Sequence, residues 1–129
     1  MSIIVKEGAF VAEHIEANRL IEVASDANPY DLLDQSATAN GFCIMFPSSA
    51  DGRGFSIASV LRQNGFKGHL RAKGHVLADQ YPLAVRNGFD DVEISDKLAA
   101  RQPEEQWVEA FARTKHVYRE GLMALRNAA

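Results

Sequence analysis

Hydrophobic and polar positions are most regularly patterned between residues 41 and 94, and the pattern predicts a repeating unit of strand and helix. "FCIMF", Phe42 to Phe46, is an unbroken apolar run of strand length that leads into Pro47, as a buried strand does. In "FSIASVLRQNG" the apolar Ile57, Val60 and Leu61 recur at helical spacing, and Asn64-Gly65 supplies a stop. "HLRAKG" reads as a second, short strand. Asp79 then reads as the N-cap of a helix that carries Pro82 in its first turn and ends at Asn87-Gly88, and "DDVEI" follows as a third strand. Strands that alternate with helices over such short connections form parallel βαβ units. The expected fold class is therefore α/β, with a small, mainly parallel sheet built from βαβ units.

The flanks are less regular. "SIIVKEGAFV" predicts two short strands around Glu7-Gly8, whereas "EANRLIEVA" fits either a helix or a strand. Residues 25–41, "SDANPYDLLDQSATANG", contain Asn28-Pro29 and many turn formers, and they read as a divider between an N-terminal part, 1–40, and a motif-bearing βαβαβ core, 41–94. After the core, Pro103, Glu104 and Glu105 mark the start of a long amphipathic helix over 103–126. Its Trp107, Phe111, Tyr118, Leu122 and Leu125 share one face, which either covers the sheet or forms a homodimer seam, the first reading being favoured.

Composition narrows the classes. With 129 residues, 47% hydrophobic and 24% charged, the whole chain, 1–129, fits a single α/β domain that buries roughly two thirds of its unfolded surface. A net charge of -3 without a run of Lys and Arg argues against nucleic acid as a partner. The three-residue apolar run before Lys6 and Glu7 is far short of a membrane span or secretory core, so the expected location is cytoplasmic, with no membrane partner. Cys43 is the single cysteine, which excludes an intrachain disulfide, a CxxC pair and a one-chain four-thiolate cluster; it reads as a small core residue.

Ligands of parallel sheets collect beyond the carboxyl ends of the strands. The first strand is followed there by Asp51, Arg53 and Ser56 in "DGRGFS". The second is followed by Lys73 and His75 and then by Asp79 and Gln80, with Arg71 inside the strand, and Ser95 and Asp96 follow the third. Arg53, Lys73 and the helix start near Ser56 fit a small oxyanion, for which a guanidinium offers a planar fork of donors, and Arg71 is expected near the same place. The competing reading makes Asp51 a cap that pairs with Arg53 or Arg71 as scaffold. His75 fits a proton shuttle or a solvated loop side chain. His14, His69 and His116 lack metal-ligand spacing, and no GxGxxG, GxxxxGK[ST] or GxSxG stretch occurs, so neither a metal nor a cofactor is expected.

Three stretches, "DGRGFSIASVLR", "GHLRAKGHVLADQ" and "RNGFDDVE", resemble in order and spacing an uncharacterised bacterial family, a domain of unknown function whose members are described as probable oxidoreductases involved in sulfite reduction. The resemblance runs from about Gly41 to Ile94 and implies a cytoplasmic role in assimilatory sulfur metabolism, because members are commonly encoded beside sulfite reductase. It carries over Asp51, Arg53, Ser56, Arg71, Asp79 and Gln80 as functional positions. Two departures stand out: His75 replaces the family's usual acid after Leu-Arg-Ala-x-Gly, and the segment before Gly41 is shorter than in typical members.

The expectation is therefore an accessory protein of sulfite reduction that binds a small oxyanion or docks on the reductase without its own redox centre. One alternative is a small cofactor-free enzyme in which Asp79 or His75 moves a proton while Arg53 and Arg71 stabilise negative charge. Another is a structural interaction domain whose polar turn is scaffold.

Overall fold

The computed structural model of the chain describes residues 2–11 and 19–114. Six strands form one sheet: β1 (Ser2–Lys6), β2 (Ala9–Val11), β3 (Ile21–Val23), β4 (Gly41–Phe46), β5 (His69–Gly74) and β6 (Asp91–Ser95). Their order is β2-β1-β6-β5-β4-β3. β3 through β6 are mutually parallel, and β1 runs antiparallel to both of its neighbours. The mainly parallel α/β sheet expected from the spacing is present, with α2 (Arg53–Gln63) linking β4 to β5 and α3 (Tyr81–Arg86) linking β5 to β6.

Local chemistry explains most boundaries. Glu7 at φ 52° and Gly8 at φ 83° close the β1–β2 hairpin, as a two-residue turn with both central residues at positive φ requires. The segment 25–41, read as a divider, instead contains α1 (Pro29–Ser36). Asn28 Oδ1 accepts the Tyr30 N–H at 3.0 Å and Pro29 occupies the first turn, so the dipeptide read as a break is a helix start. α1 buries Leu32 and packs on α2.

Two caps also differ from expectation. Asp79 does not cap a helix. It lies in a short 3₁₀ turn, Ala78–Gln80, where Gln80 Oε1 accepts the Leu77 N–H at 2.9 Å, and Gln80 itself precedes α3. Ser95, seen from sequence only as a residue after a strand, caps α4 (Asp96–Arg101) by accepting the Leu98 N–H at 3.2 Å. A further helix, α5, runs over 104–114 and begins where Pro103 indicated. The expected extension to 126, with Tyr118, Leu122 and Leu125, lies outside the described residues.

The two faces of the sheet differ sharply. Strand register aligns Val5, Val92, Ala72, Ile44 and Val23 in one lateral row across five strands, all buried. On this face α2 lays down Phe55, Ile57, Ala58 and Leu61, and the Phe46 ring lies 4.9 Å from Phe55 and 5.8 Å from Phe89. Fully buried Trp107 of α5 stacks edge-on to Tyr81 at 5.5 Å, so this part of the predicted stripe serves the chain's own core. On the opposite face the same register places Glu22, Cys43, Arg71 and Asp91 side by side, with Lys73 beside Glu93.

Candidate functional site

The residues singled out from sequence occupy three separate environments. The first is the loop after β4, at the carboxyl end of the sheet. Asp51 Oδ1 accepts the Arg53 backbone N–H at 3.1 Å and its Nε–H at 2.9 Å, and Oδ2 accepts from Nη2 at 2.8 Å. Nη2 also donates to the hydroxyl of buried Ser25, just past β3, at 3.1 Å. These bonds from the Arg53 side chain, then from its backbone N–H, hold the Asp51 carboxyl well below the usual carboxylate range. Asp51 thereby places its own negative charge on the first turn of α2. Yet the Arg53 side chain remains 60% exposed.

The glycines on either side of Arg53 differ in purpose. A Cβ on Gly52 would meet only open space and one Phe55 ring atom at 4.0 Å, whereas a Cβ on Gly54 would stand 2.5 Å from the Phe46 ring. Gly54 is small because an aromatic core residue presses against the helix there. Ser56 is exposed one turn further on and faces the shallow groove between α2 and α3.

The second environment is the polar face of the sheet. Arg71, only 1% exposed, donates from Nε to Asp91 Oδ1 at 3.0 Å, from Nη2 to Asp91 Oδ2 at 3.2 Å and from Nη1 to Glu93 Oε1 at 3.4 Å. Lys73 Nζ lies 3.6 Å from Glu93 Oε2, Ser2 donates to the same oxygen at 2.9 Å, and His69 Nε2 stands 2.9 Å from Asp91 Oδ2. Burial pushes the Asp91 carboxyl upward, but the hydrogen bonds from His69 and Arg71 outweigh it and leave its pKa below the ordinary value. In the same row burial, reinforced by the Glu93 charge, raises the Cys43 thiol to about 11, which keeps it protonated and unreactive. A charge this deeply buried needs partners, and Arg71 has them.

The third environment is the loop after β5. Gln80 joins the two carboxyl-end loops, since its Nε2 donates to the Ser49 carbonyl at 2.8 Å while its Oε1 holds Leu77. Asp79 is almost fully exposed, with Arg113 Nη2 at 3.9 Å, and His75 is exposed. Among the described residues Arg53 thus bonds Asp51 and Ser25, whereas Arg71 bonds Asp91 and Glu93. Arg53 reaches toward β3 and Arg71 reaches toward β6.

Sequence reasoning passed over Asp91, Glu93 and His69, which take part in the Arg71 network, and Arg62, whose guanidinium ties two loops together. A signal was available for the first three. "HLRAKG" and "DVEIS" each alternate polar and apolar, and adjacent parallel strands with matched apolar faces must also share a polar face. Arg62 bonds the Phe66 and Gly68 carbonyls just after its own helix, and its bond to the Gly88 carbonyl depends on tertiary structure.

Among the described residues no group of three or more His, Cys, Asp and Glu side chains is arranged to hold a metal ion, and no helix is long and apolar enough to cross a membrane. No curated protein and no solved structure matches the chain. Residues 20–127, which hold both the Asp51–Arg53 turn and the Arg71 network, match the family described as "Bacterial protein of unknown function (DUF934)", and the chain belongs to that family.

Proposed function

We propose that the chain is an accessory protein of assimilatory sulfite reduction that has no redox centre of its own and offers Arg53 to a small oxyanion or to an acidic group on the reductase. The observation that carries this reading is the state of Arg53. Its guanidinium is largely exposed, yet Asp51 and Ser25 fix its orientation, and among the described residues Nη1 makes no hydrogen bond. A planar donor edge held in one orientation loses little freedom when it captures an anion. Because Asp51, just ahead of α2, already accepts the helix's first N–H, the anion's contacts belong to the guanidinium edge more than to the helix amides. The sulfur context rests on the family resemblance of the "DGRGFSIASVLR" and "GHLRAKGHVLADQ" stretches.

The enzyme alternative has less support, since Arg71, its second charge stabiliser, is engaged by Asp91 and Glu93. Calorimetric titration of the full chain with sulfite, sulfate and phosphate tests the proposal. Arg53→Ala should weaken binding by about tenfold or more, and Arg53→Lys by less, because a lone ammonium cannot reproduce the fork. Melting temperatures should barely change. Unaltered affinity in Arg53→Ala would refute the assignment.

A further inference from the structure

The turn that carries Asp51 and Arg53 is tied to the loops on either side of it. Toward β3, Arg53 Nη2 donates to the Ser25 hydroxyl. Toward β5 there are two ties. The His75 N–H donates to the Phe46 carbonyl, where β4 ends, at 2.9 Å, and Gln80 donates from Nε2 to the Ser49 carbonyl at 2.8 Å. Gly74, at φ 125°, makes the first of these possible, since a Cβ there would press into the Phe46 carbonyl.

The Gln80 tie is made by a side chain that is itself held. Its Oε1 accepts the Leu77 N–H at 2.9 Å, and the next residue, buried Tyr81, begins α3. Residues 47–52 form neither helix nor strand, so their shape depends on bonds of this kind.

From the Ser49 carbonyl the contacts continue to Arg53. Ser48 accepts the Ala50 N–H at its hydroxyl, at 3.2 Å, and the Asp51 N–H at its carbonyl, at 3.1 Å. Asp51 in turn accepts from the Arg53 backbone N–H, Nε and Nη2.

We infer that Gln80 is a positioning residue for Arg53. By holding the Ser49 carbonyl it fixes the turn at 48–51, and through Asp51 it sets the direction in which the guanidinium meets solvent. The consequence for affinity rests on the anion site proposed above, whereas the consequence for Arg53 orientation does not. Without the tie, Arg53 would lose more freedom on capturing an anion, and binding would weaken although no contact to the anion was removed.

Two variants of the full chain test this. Gln80→Met is neutral, of similar length and loses both amide bonds. Gln80→Glu keeps an acceptor for the Leu77 N–H and loses the donor to Ser49, so it separates the 3₁₀ turn from the tie; because its charge acts on anions directly, it is read by relaxation alone. Nitrogen relaxation of the Arg53 Nε–H, assigned by its loss in Arg53→Ala, should show a more mobile bond in both variants than in wild type, which a role confined to the 3₁₀ turn would not produce in Gln80→Glu. In titrations with sulfite, sulfate and phosphate, Gln80→Met should weaken binding about three- to tenfold and should have no effect in the Arg53→Ala background. An Arg53 Nε–H as rigid in Gln80→Glu as in wild type overturns the inference. So does a Gln80→Met affinity that is unchanged while Arg53→Ala loses binding, or a loss that persists in the Arg53→Ala background. If Arg53→Ala itself leaves affinity unaltered, the anion site fails and relaxation alone decides the role of Gln80.

Discussion

Arg53 and Arg71 make similar bonds and live in opposite conditions. Each holds an aspartate through two side-chain contacts, at 2.8 and 2.9 Å for Arg53 and at 3.0 and 3.2 Å for Arg71. One side chain is 60% exposed and the other 1%. Water and salt screen the Asp51–Arg53 pair, so it orients the turn and adds little to stability. Out of water, the Arg71 pair has given up its hydration, and removing one partner would strand the other. The same chemistry therefore serves presentation at the sheet's mouth and cohesion on its face.

The largest effect should come from breaking the buried side of this contrast. Arg71→Met leaves Asp91 and Glu93 buried at 4% and 7% exposure without their main counter-charge, and should cost about 3–5 kcal/mol in urea denaturation. A cost below about 1 kcal/mol would mean that the network is as solvent-accessible as the surface pair.

Gly54→Ala comes next. The added methyl would drive into the Phe46 ring, which is itself locked between Phe55 and Phe89, and the overpacking should cost about 1–3 kcal/mol. Gly52→Ala, with open space around it, is the control, and equal costs for the two glycines would discredit the packing explanation.

Smaller effects depend on pH. The folded pKa of Asp91 is depressed, so its contribution is complete above the ordinary Asp value of about 3.9 and is lost as pH falls through the lower folded value. Melts of wild type below pH of about 4 should fall more steeply than those of Asp91→Asn, measured relative to each protein's neutral value. Cys43 works in the other direction: its thiol is raised from 9.0 to about 11, so the stability it contributes below 9 declines as pH rises toward 11. Cys43→Ala should flatten that alkaline decline, and native protein at neutral pH should resist thiol reagents until it unfolds.

The smallest stability change belongs to Arg53→Ala, whose melting temperature should stay close to wild type in moderate salt, in contrast to Arg71→Met. If low salt reveals a large loss for Arg53→Ala, the exposed pair is holding the β3 and β4 loops together through Ser25, and the distinction between the two arginines narrows.

Much of the fold was legible along the chain. The apolar run 42–46, the spacing of Ile57 and Leu61 and the turn residues Glu7-Gly8 each report a local preference, which is why β4, α2 and the first hairpin stand where periodicity put them. Asn28-Pro29 was misread because the same residues open turns and helices, and only the packing of Leu32 and α2 selects between them. Asp79 was misread as a cap because a 3₁₀ turn intervenes and Gln80 takes the bonding role.

The site divides along the same line. That a charged turn follows the first parallel strand, and that Asp51 can bond Arg53 two residues on, are consequences of short-range chain geometry. Which acid meets Arg71 is not: Asp91 lies twenty residues away, and it becomes a partner because backbone hydrogen bonds between β5 and β6 set Arg71 opposite Asp91 and Lys73 opposite Glu93. A shift of one residue in that register would turn the carboxylates toward the apolar core and leave the arginine buried without them. Pattern along a chain therefore assigns charges to strands and loops, while strand register and burial assign each charge its partner and its use.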